Sequence, residues 1–370
     1  MSGVDDIRAQ ALEVAAGWSA PGAPGSWQLT AALFRLIARH DELLDRLTGL
    51  PSDRLPALLA SAAISFLVRR DRPEPLAGYF PHPGRPQPPF GAGFADAASG
   101  FVSARLDEIV ALCGRHRYQM NEVARSAQIA CGISAAGPAD EVALIDLGTG
   151  AGLGLQLDQY RYRFGRQVFG PAAAALTLHC QVRGERVPPA VVLPRIAARA
   201  GLELHPVDLA DAEALDWLRA CAPPEASALT RLTAAVSVAR QHPARIVAGD
   251  VVDSLPGVLA GMPPGLPVIV VDAYLAVFLP PLRLRALTEV LASAGQSRPV
   301  VWLSLDPLVP LGASGRDSVQ GLDLPAELVA EYAERGVFAV LGARTFDGSA
   351  DTGRLLARAH PSGQWIEWLG

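Results

Sequence analysis

Residues 142–147, Val-Ala-Leu-Ile-Asp-Leu, form a short apolar run that stops at Gly148, and glycine returns at 150 and 152. An apolar run of this length without alternation reads as a strand buried on both faces, as inside a parallel sheet. Glycine at every second position lets the backbone approach a ligand or a neighbouring strand with no Cβ in the way. The next stretch, Gly152–Phe164, predicts a helix whose free N–H groups and positive dipole end would face the loop. Strand, glycine turn and helix together point to an open α/β sheet with a site at the carboxyl end of its first strand.

The rest of the chain divides around this point. Leu29, Leu33, Leu36, Ile37, Leu43, Leu44 and Leu47 recur at helical spacing, and Leu55–Val68 predicts a second helix with Pro56 in its first turn. Seven prolines between Pro73 and Pro89 make residues 71–90 a long stiff loop. Two more helices are predicted, one marked by Leu106, Ile109, Val110 and Cys113, the other by Met120, Val123, Ala124, Ala127 and Cys131. Residues 1–137 thus form a helical N-terminal cap region and 138–370 an α/β domain. In the second part, apolar runs near 202, 245, 267–272, 299 and 337 alternate with helical patterns, as in a doubly wound, mostly parallel sheet. The last two runs, RLLARAH and QWIEWL, have no room for a crossover helix and predict a hairpin.

Composition removes several chemistries. All 32 basic residues are arginine, so neither a Walker A lysine nor a lysine Schiff base can be built. With a net charge of −5 and no basic run, the chain is a poor nucleic-acid binder. No apolar run is long enough to span a membrane, and Met1–Gln10 carries acids where a secretory signal needs cations, so a cytoplasmic protein is expected. Cys113, Cys131, Cys180 and Cys221 are scattered, without metal-ligand spacing, and read as small buried residues.

The spelling of the glycine loop narrows its ligand. The dinucleotide fingerprint G-x-G-x-x-G fails from either start, at Leu153 or at Leu155, which disfavours a nicotinamide oxidoreductase. The pattern acid-x-G-x-G-x-G is complete at Asp146, Gly148, Gly150 and Gly152, and it resembles the first motif of class I S-adenosylmethionine-dependent methyltransferases. The resemblance implies a seven-stranded Rossmann-like sheet with a C-terminal antiparallel hairpin, and S-adenosylmethionine as cofactor. It makes Asp146, Leu147, Gly148, Thr149, Gly150 and Gly152 cofactor-binding. It also implies an acid after the second strand for the ribose hydroxyls, here Asp208 with Glu203 as its rival, and Asp250 near the adenine. Asp272 and Tyr274, in Asp-Ala-Tyr after the fourth strand, would face cofactor and substrate and are the catalytic candidates with Glu122. One departure stands out. The second-strand acid should follow the loop by about 20 residues, yet Asp208 lies 56 after Gly152, so an insertion at about 166–199, read as an extra hairpin over the site, must intervene.

Asn121 and Arg125 are four apart, on one face of the predicted Met120–Cys131 helix, with Glu122 beside them, and make a polar stripe suited to a pocket or to a plain surface ion pair. Tyr160 and Arg161, at the end of the helix predicted after the loop, could hold a ligand carboxylate or simply cap that helix. His116 and His205 are minor candidates for a base. Asp272 and Asp306 are two isolated acids, not a metal-ligand pattern, so no metal is assigned. The segments YQMNEVARSAQI, ALIDLGTGAGLGLQLDQYRYRFG, RAGLELHPVDLADAEALDWLRA, TRLTAAVSVA, IVAGDVVDSLP and VVWLSL together resemble an uncharacterised bacterial family common in actinomycetes, with a methyltransferase-like core. The expectation is a transferase acting on a small molecule, with self-association into a homodimer. The alternative is a non-catalytic binding or regulatory protein built on the same core.

Overall fold

The computed structural model describes residues 3–19, 27–81, 90–137, 139–307, 318–335 and 338–370. Helices α1 (Val4–Trp18), α2 (Gln28–Arg39), α3 (Asp41–Leu47), α4 (Pro56–Asp71), α5 (Ala92–Ala104) and α6 (Leu106–Arg115) precede α7 (Arg125–Ala136). Then come β1 (Glu141–Leu147), β2 (Arg161–Phe164), β3 (Gln167–Phe169), β4 (Thr177–Arg183), β5 (Arg195–Glu203), α8 (Ala212–Cys221) and α9 (Ala226–Gln241). The central elements are β6 (Arg245–Ala248), α10 (Val251–Ala260), β7 (Val268–Ala273), α11 (Pro281–Gly295) and β8 (Val300–Pro307). The last are β9 (Ser318–Val319), β10 (Leu322–Asp323), α12 (Ala326–Arg335), β11 (Ala339–Asp347), β12 (Ala350–Ala359) and β13 (Trp365–Trp368). Two compact units result: Met1–Asn121 with Asp208–Thr233, and Glu122–Val207 with Ala234–Gly370.

The first unit is helical. The leucine stripe of α2 and α3 buries Leu29, Leu33, Ile37, Leu43, Leu44 and Leu47. Almost every residue of α4 from Pro56 to Val68 is buried, so α4 is its central helix. Pro56 opens it where a missing N–H costs nothing. Helix α8 packs on α4 through Trp217, whose ring lies 5.9 Å from Phe66 and is stacked on His116 at 4.2 Å. Residues 73–81 of the proline-rich loop hold a single 3-10 turn, Leu76–Tyr79, and its remainder from 82 to 89 lies outside the described residues.

The second unit is mixed α/β, built on one large sheet of order β3-β2-β4-β13-β12-β11-β8-β7-β1-β5-β6. Strands β8, β7, β1, β5 and β6 are parallel, while β11 runs antiparallel to β8 and β12 to β11. Along β1, Ala143, Ile145 and Leu147 face a core completed by Leu255, Val258, Leu287 and Leu291 of α10 and α11. Strand β1 lies between β5 and β7, so the strand order reverses at its carboxyl end. That is the position where open α/β sheets bind ligands.

Four expectations are corrected. The sheet has 11 strands, not seven, chiefly because the chain in and just before the insertion supplies β2, β3 and β4. These extend the sheet beyond β13, so they are not a hairpin over the glycine loop. No α-helix follows the loop: Gly154–Gln159 is a 3-10 turn and Arg161–Phe164 a strand. Burial alternates there, with Tyr160, Tyr162 and Phe164 inside and Arg163 exposed, which is the period of a strand. Finally, α7 begins at Arg125, so Asn121 and Glu122 precede it and do not share its face. The Glu122 carboxylate accepts the Ala124 N–H at 3.0 Å, closing a turn ahead of the helix. The predicted C-terminal hairpin is present as β12–β13.

Candidate functional site

Gly148, Gly150 and Gly152 have φ of 65°, 57° and 71°. All three are in the left-handed region that side chains resist. The loop is tight as well. A Cβ on Gly148 would stand 3.2 Å from Leu275, and one on Gly152 would stand 2.9 Å from Ile246. Gly201, in β5, makes equal room from outside, since a Cβ there would meet the Thr149 methyl at 2.4 Å.

The loop spends its donors on the protein itself. The Gly148 and Thr149 N–H groups donate to the Leu202 carbonyl at 2.8 and 3.2 Å, and Gly152 donates to Thr149 at 2.9 Å. Gly150 donates to Glu203 Oε2 at 2.9 Å, while Glu203 Oε1 accepts the His205 N–H at 3.0 Å. Glu203 is the last residue of β5, so the rival acid is the one that touches the loop. Asp208 belongs to the helical unit, where its exposed carboxylate accepts the Ala210 N–H at 2.8 Å. The departure in spacing remains with Glu203, and the chain that supplies β2, β3 and β4 between the loop and β5 accounts for it.

Asp146 is buried, and its Oδ2 accepts the Thr149 hydroxyl at 2.6 Å. Gly154 is required beside it, because a Cβ there would lie 2.7 Å from that oxygen. Burial raises the Asp146 pKa to about 7; the Thr149 bond opposes this, and the charges of Asp272 and Glu203 add to it. Asp272, next to last in β7, is fully buried. The Trp302 indole donates to its Oδ2 at 2.7 Å and the Ser304 hydroxyl to its Oδ1 at 3.0 Å. Ser304 Oγ also lies 3.3 Å from Asp306 Oδ2, so one hydroxyl joins two buried acids. Tyr274 is two residues further on, with φ 69° and its N–H donating to the Leu305 carbonyl at 2.9 Å.

The other candidates lie elsewhere. Asp250 caps α10 by accepting the Val252 N–H at 2.8 Å, and it pairs with Arg283. Tyr160 is fully buried and its hydroxyl donates to the Leu153 carbonyl at 2.7 Å, while Arg161 Nη1 reaches the Ala172 carbonyl at 3.4 Å. Arg125 is buried, with its guanidinium on the Tyr274 ring. Asn121 lies in the helical unit and donates to Gln119 at 3.4 Å. His116 stacks on Trp217 in that unit, and His205 is exposed. Burial pushes the Cys113, Cys131 and Cys221 thiols up to about 12, which removes them as nucleophiles.

Sequence reasoning missed Arg199. Its guanidinium donates to the Leu155 carbonyl at 2.7 Å and forks onto Asp158 at 2.9 and 2.8 Å, holding the 3-10 turn in place of the expected helix. Only its place at the edge of the insertion hinted at a role. Trp302 and Ser304 sit in an apolar run that predicts no more than a strand, and their polar atoms serve Asp272.

The expected uncharacterised bacterial family is found. Residues 12–368 match the bacterial family described as uncharacterised and conserved in bacteria, DUF2332, and the chain belongs to it. No curated protein matches the chain. Among the described residues, no helix is long and apolar enough to cross a membrane, and no group of three or more His, Cys, Asp and Glu could hold a metal ion.

Proposed function

We propose that this DUF2332 protein is an S-adenosylmethionine-dependent transferase, a methyltransferase acting on a small molecule. One observation carries the reading: the glycine loop at the switch point is lined by carboxylates, and its own N–H groups are already bonded within the protein. A pyrophosphate needs free N–H groups and a helix N-terminus. Here four loop N–H groups are used internally, the α-helix is replaced by a 3-10 turn, and Asp272 and Glu203 lie close enough for their charges to help burial raise the Asp146 carboxyl to about 7. Such a loop repels phosphate and suits a cation.

When bound, the cofactor supplies a methyl group on a positively charged sulfur. The residues present fit it. Glu203 uses two of its acceptor positions on Gly150 and His205 and keeps others for ribose hydroxyls. Gly148 and Leu275 form the wall that a side chain would fill. Asp272 is held in one orientation by Trp302 and Ser304. Tyr274 and Glu122 are the candidates for orienting the acceptor. Methyl transfer asks the protein mainly for alignment, which rigid backbone provides.

A second reading has one observation behind it. Asp272 is fully buried and engaged by Trp302 and Ser304, a poor arrangement for a base that meets an acceptor. That favours a non-catalytic protein binding the same ligand. Calorimetric titration with S-adenosylhomocysteine, with NAD as control, tests the cofactor. Micromolar binding that is lost in Gly150→Arg and weakened in Glu203→Gln is expected. A folded wild type that takes up no S-adenosylhomocysteine would sink the proposal. Turnover in an acceptor screen separates enzyme from binder.

A further inference from the structure

The start of α7 is gripped from two sides. On one side, the turn between β12 and β13 closes on it. Gln128 donates through Nε2 to the His360 and Trp365 carbonyls at 2.9 Å each, and Arg125 donates through Nε to the Pro361 carbonyl at 2.7 Å. Gly363, at φ 72°, passes so near that a Cβ there would stand 2.3 Å from the Ala124 carbonyl carbon. On the other side, the Arg125 guanidinium lies over the Tyr274 ring, 3.7 Å from its centroid. Arg125 is only 6% exposed. This cation therefore sits on the ring away from water, where the attraction is strongest.

Tyr274 itself is held in a conformation it would not choose. Its φ of 69° lies in the left-handed region. A bulky side chain keeps that region only when its surroundings impose it. The next two residues depend on that geometry. Leu275 packs against Gly148, and the Ala276 N–H reaches back to Asp272 Oδ1 at 3.4 Å. If Tyr274 relaxed toward negative φ, Leu275 would leave the glycine loop.

We propose that Arg125 is a positioning residue: anchored by the β12–β13 turn, it clamps the Tyr274 ring and so holds Leu275 against the glycine loop. The clamp is a property of the ligand-free fold; only its effect on affinity rests on the transferase reading.

Hydrogen exchange of the full-length protein without ligand tests it. In Arg125→Gln, which keeps a donor for Pro361 but loses the cation, the amides of Tyr274 and Ala276 should exchange about tenfold faster, the size of one desolvated cation–π contact. Those of Ile145 and Val270 should stay at the wild-type rate. Tyr274→Leu should do the same from the other partner, and it decides the matter if Arg125→Gln does not fold. Tyr274→Phe, which keeps the ring, should match the wild type. Unchanged exchange in a folded Arg125→Gln or Tyr274→Leu overturns the clamp, as does equal acceleration in β1 and β7 or in Tyr274→Phe. Titration of the same variants with S-adenosylhomocysteine should show affinity about tenfold weaker in the first two. A wild type that fails to bind refutes the transferase reading, while the exchange result still decides the clamp.

Discussion

Replacing Asp146 by asparagine should make the protein more stable at mildly alkaline pH. The fold raises this carboxyl from 3.8 to about 7, because it is buried and faces the charges of Asp272 and Glu203. The folded chain therefore keeps a proton that the unfolded chain releases. Stability from this group is complete below pH 3.8, falls as pH rises, and is gone above about pH 7. At about 1.4 kcal/mol for each tenfold in proton affinity, the loss amounts to about 4 kcal/mol. Asparagine has the same shape, carries no charge, and still offers an oxygen to the Thr149 hydroxyl. Urea unfolding followed by tryptophan fluorescence, repeated from about pH 5 to about pH 8.5, reads the difference. The wild type should lose stability across this range while Asp146→Asn loses much less, so that the variant is the more stable by several kcal/mol at the upper end. Parallel pH curves for the two proteins would refute the reasoning, for they would mean that Asp146 is already ionised at no cost in the fold.

Two further changes probe the supports of the site. His360 accepts the Ser362 N–H through Nδ1, which requires a neutral ring, and burial with the nearby Arg183 and Arg125 lowers its pKa to about 4. Its stability is complete above pH 6.5 and is lost as pH falls toward 4, about 3 kcal/mol in all. His360→Gln should therefore move the acid-unfolding midpoint to lower pH, and an unmoved midpoint would contradict the assignment. Arg199→Ala should cost about 2 kcal/mol in urea unfolding, since a partly buried fork onto Asp158 and a bond to Leu155 vanish together. Arg199→Lys should recover little of this, because an ammonium cannot reproduce the fork; full recovery would show that charge alone matters.

How legible the fold was depends on whether a segment's period was set by itself or by distant partners. Strands β7 and β8 are apolar runs buried almost throughout, and both appear where the sequence puts them, whereas β5 begins at Arg195, inside the expected insertion. The segment after the loop carries two periods at once. Leu153, Leu157 and Tyr160 fall at helical spacing, yet Tyr160, Tyr162 and Phe164 alternate, and pairing with β4 decides for the strand. That partner comes from the insertion, whose strands are short and polar on one face, so nothing local announced it. The N-terminal boundary of α7 differs for a smaller reason: the Glu122 side chain competes for a backbone N–H that a helix would have used.

The site was legible in its backbone and much less so in its charges. Asp146 and the three glycines follow from their spacing at the end of an apolar run, whereas Asp272 follows only from the methyltransferase resemblance. The motif suggests the ligand by resemblance, and the internal bonding of the loop's donors is what supports the proposal over a phosphate. Had the expected helix been present, its free N–H groups and dipole would have favoured an anion, and a phosphate would have remained a fair guess. Here the helix is replaced by a 3-10 turn clasped by Arg199, and the loop N–H groups are bonded to Leu202, Thr149 and Glu203, so that support for an anion is missing. Under the transferase proposal a cation is favoured at this loop, and Asp146, whose carboxyl is raised to about 7 beside Asp272 and Glu203, is the residue at which the local charge can be measured.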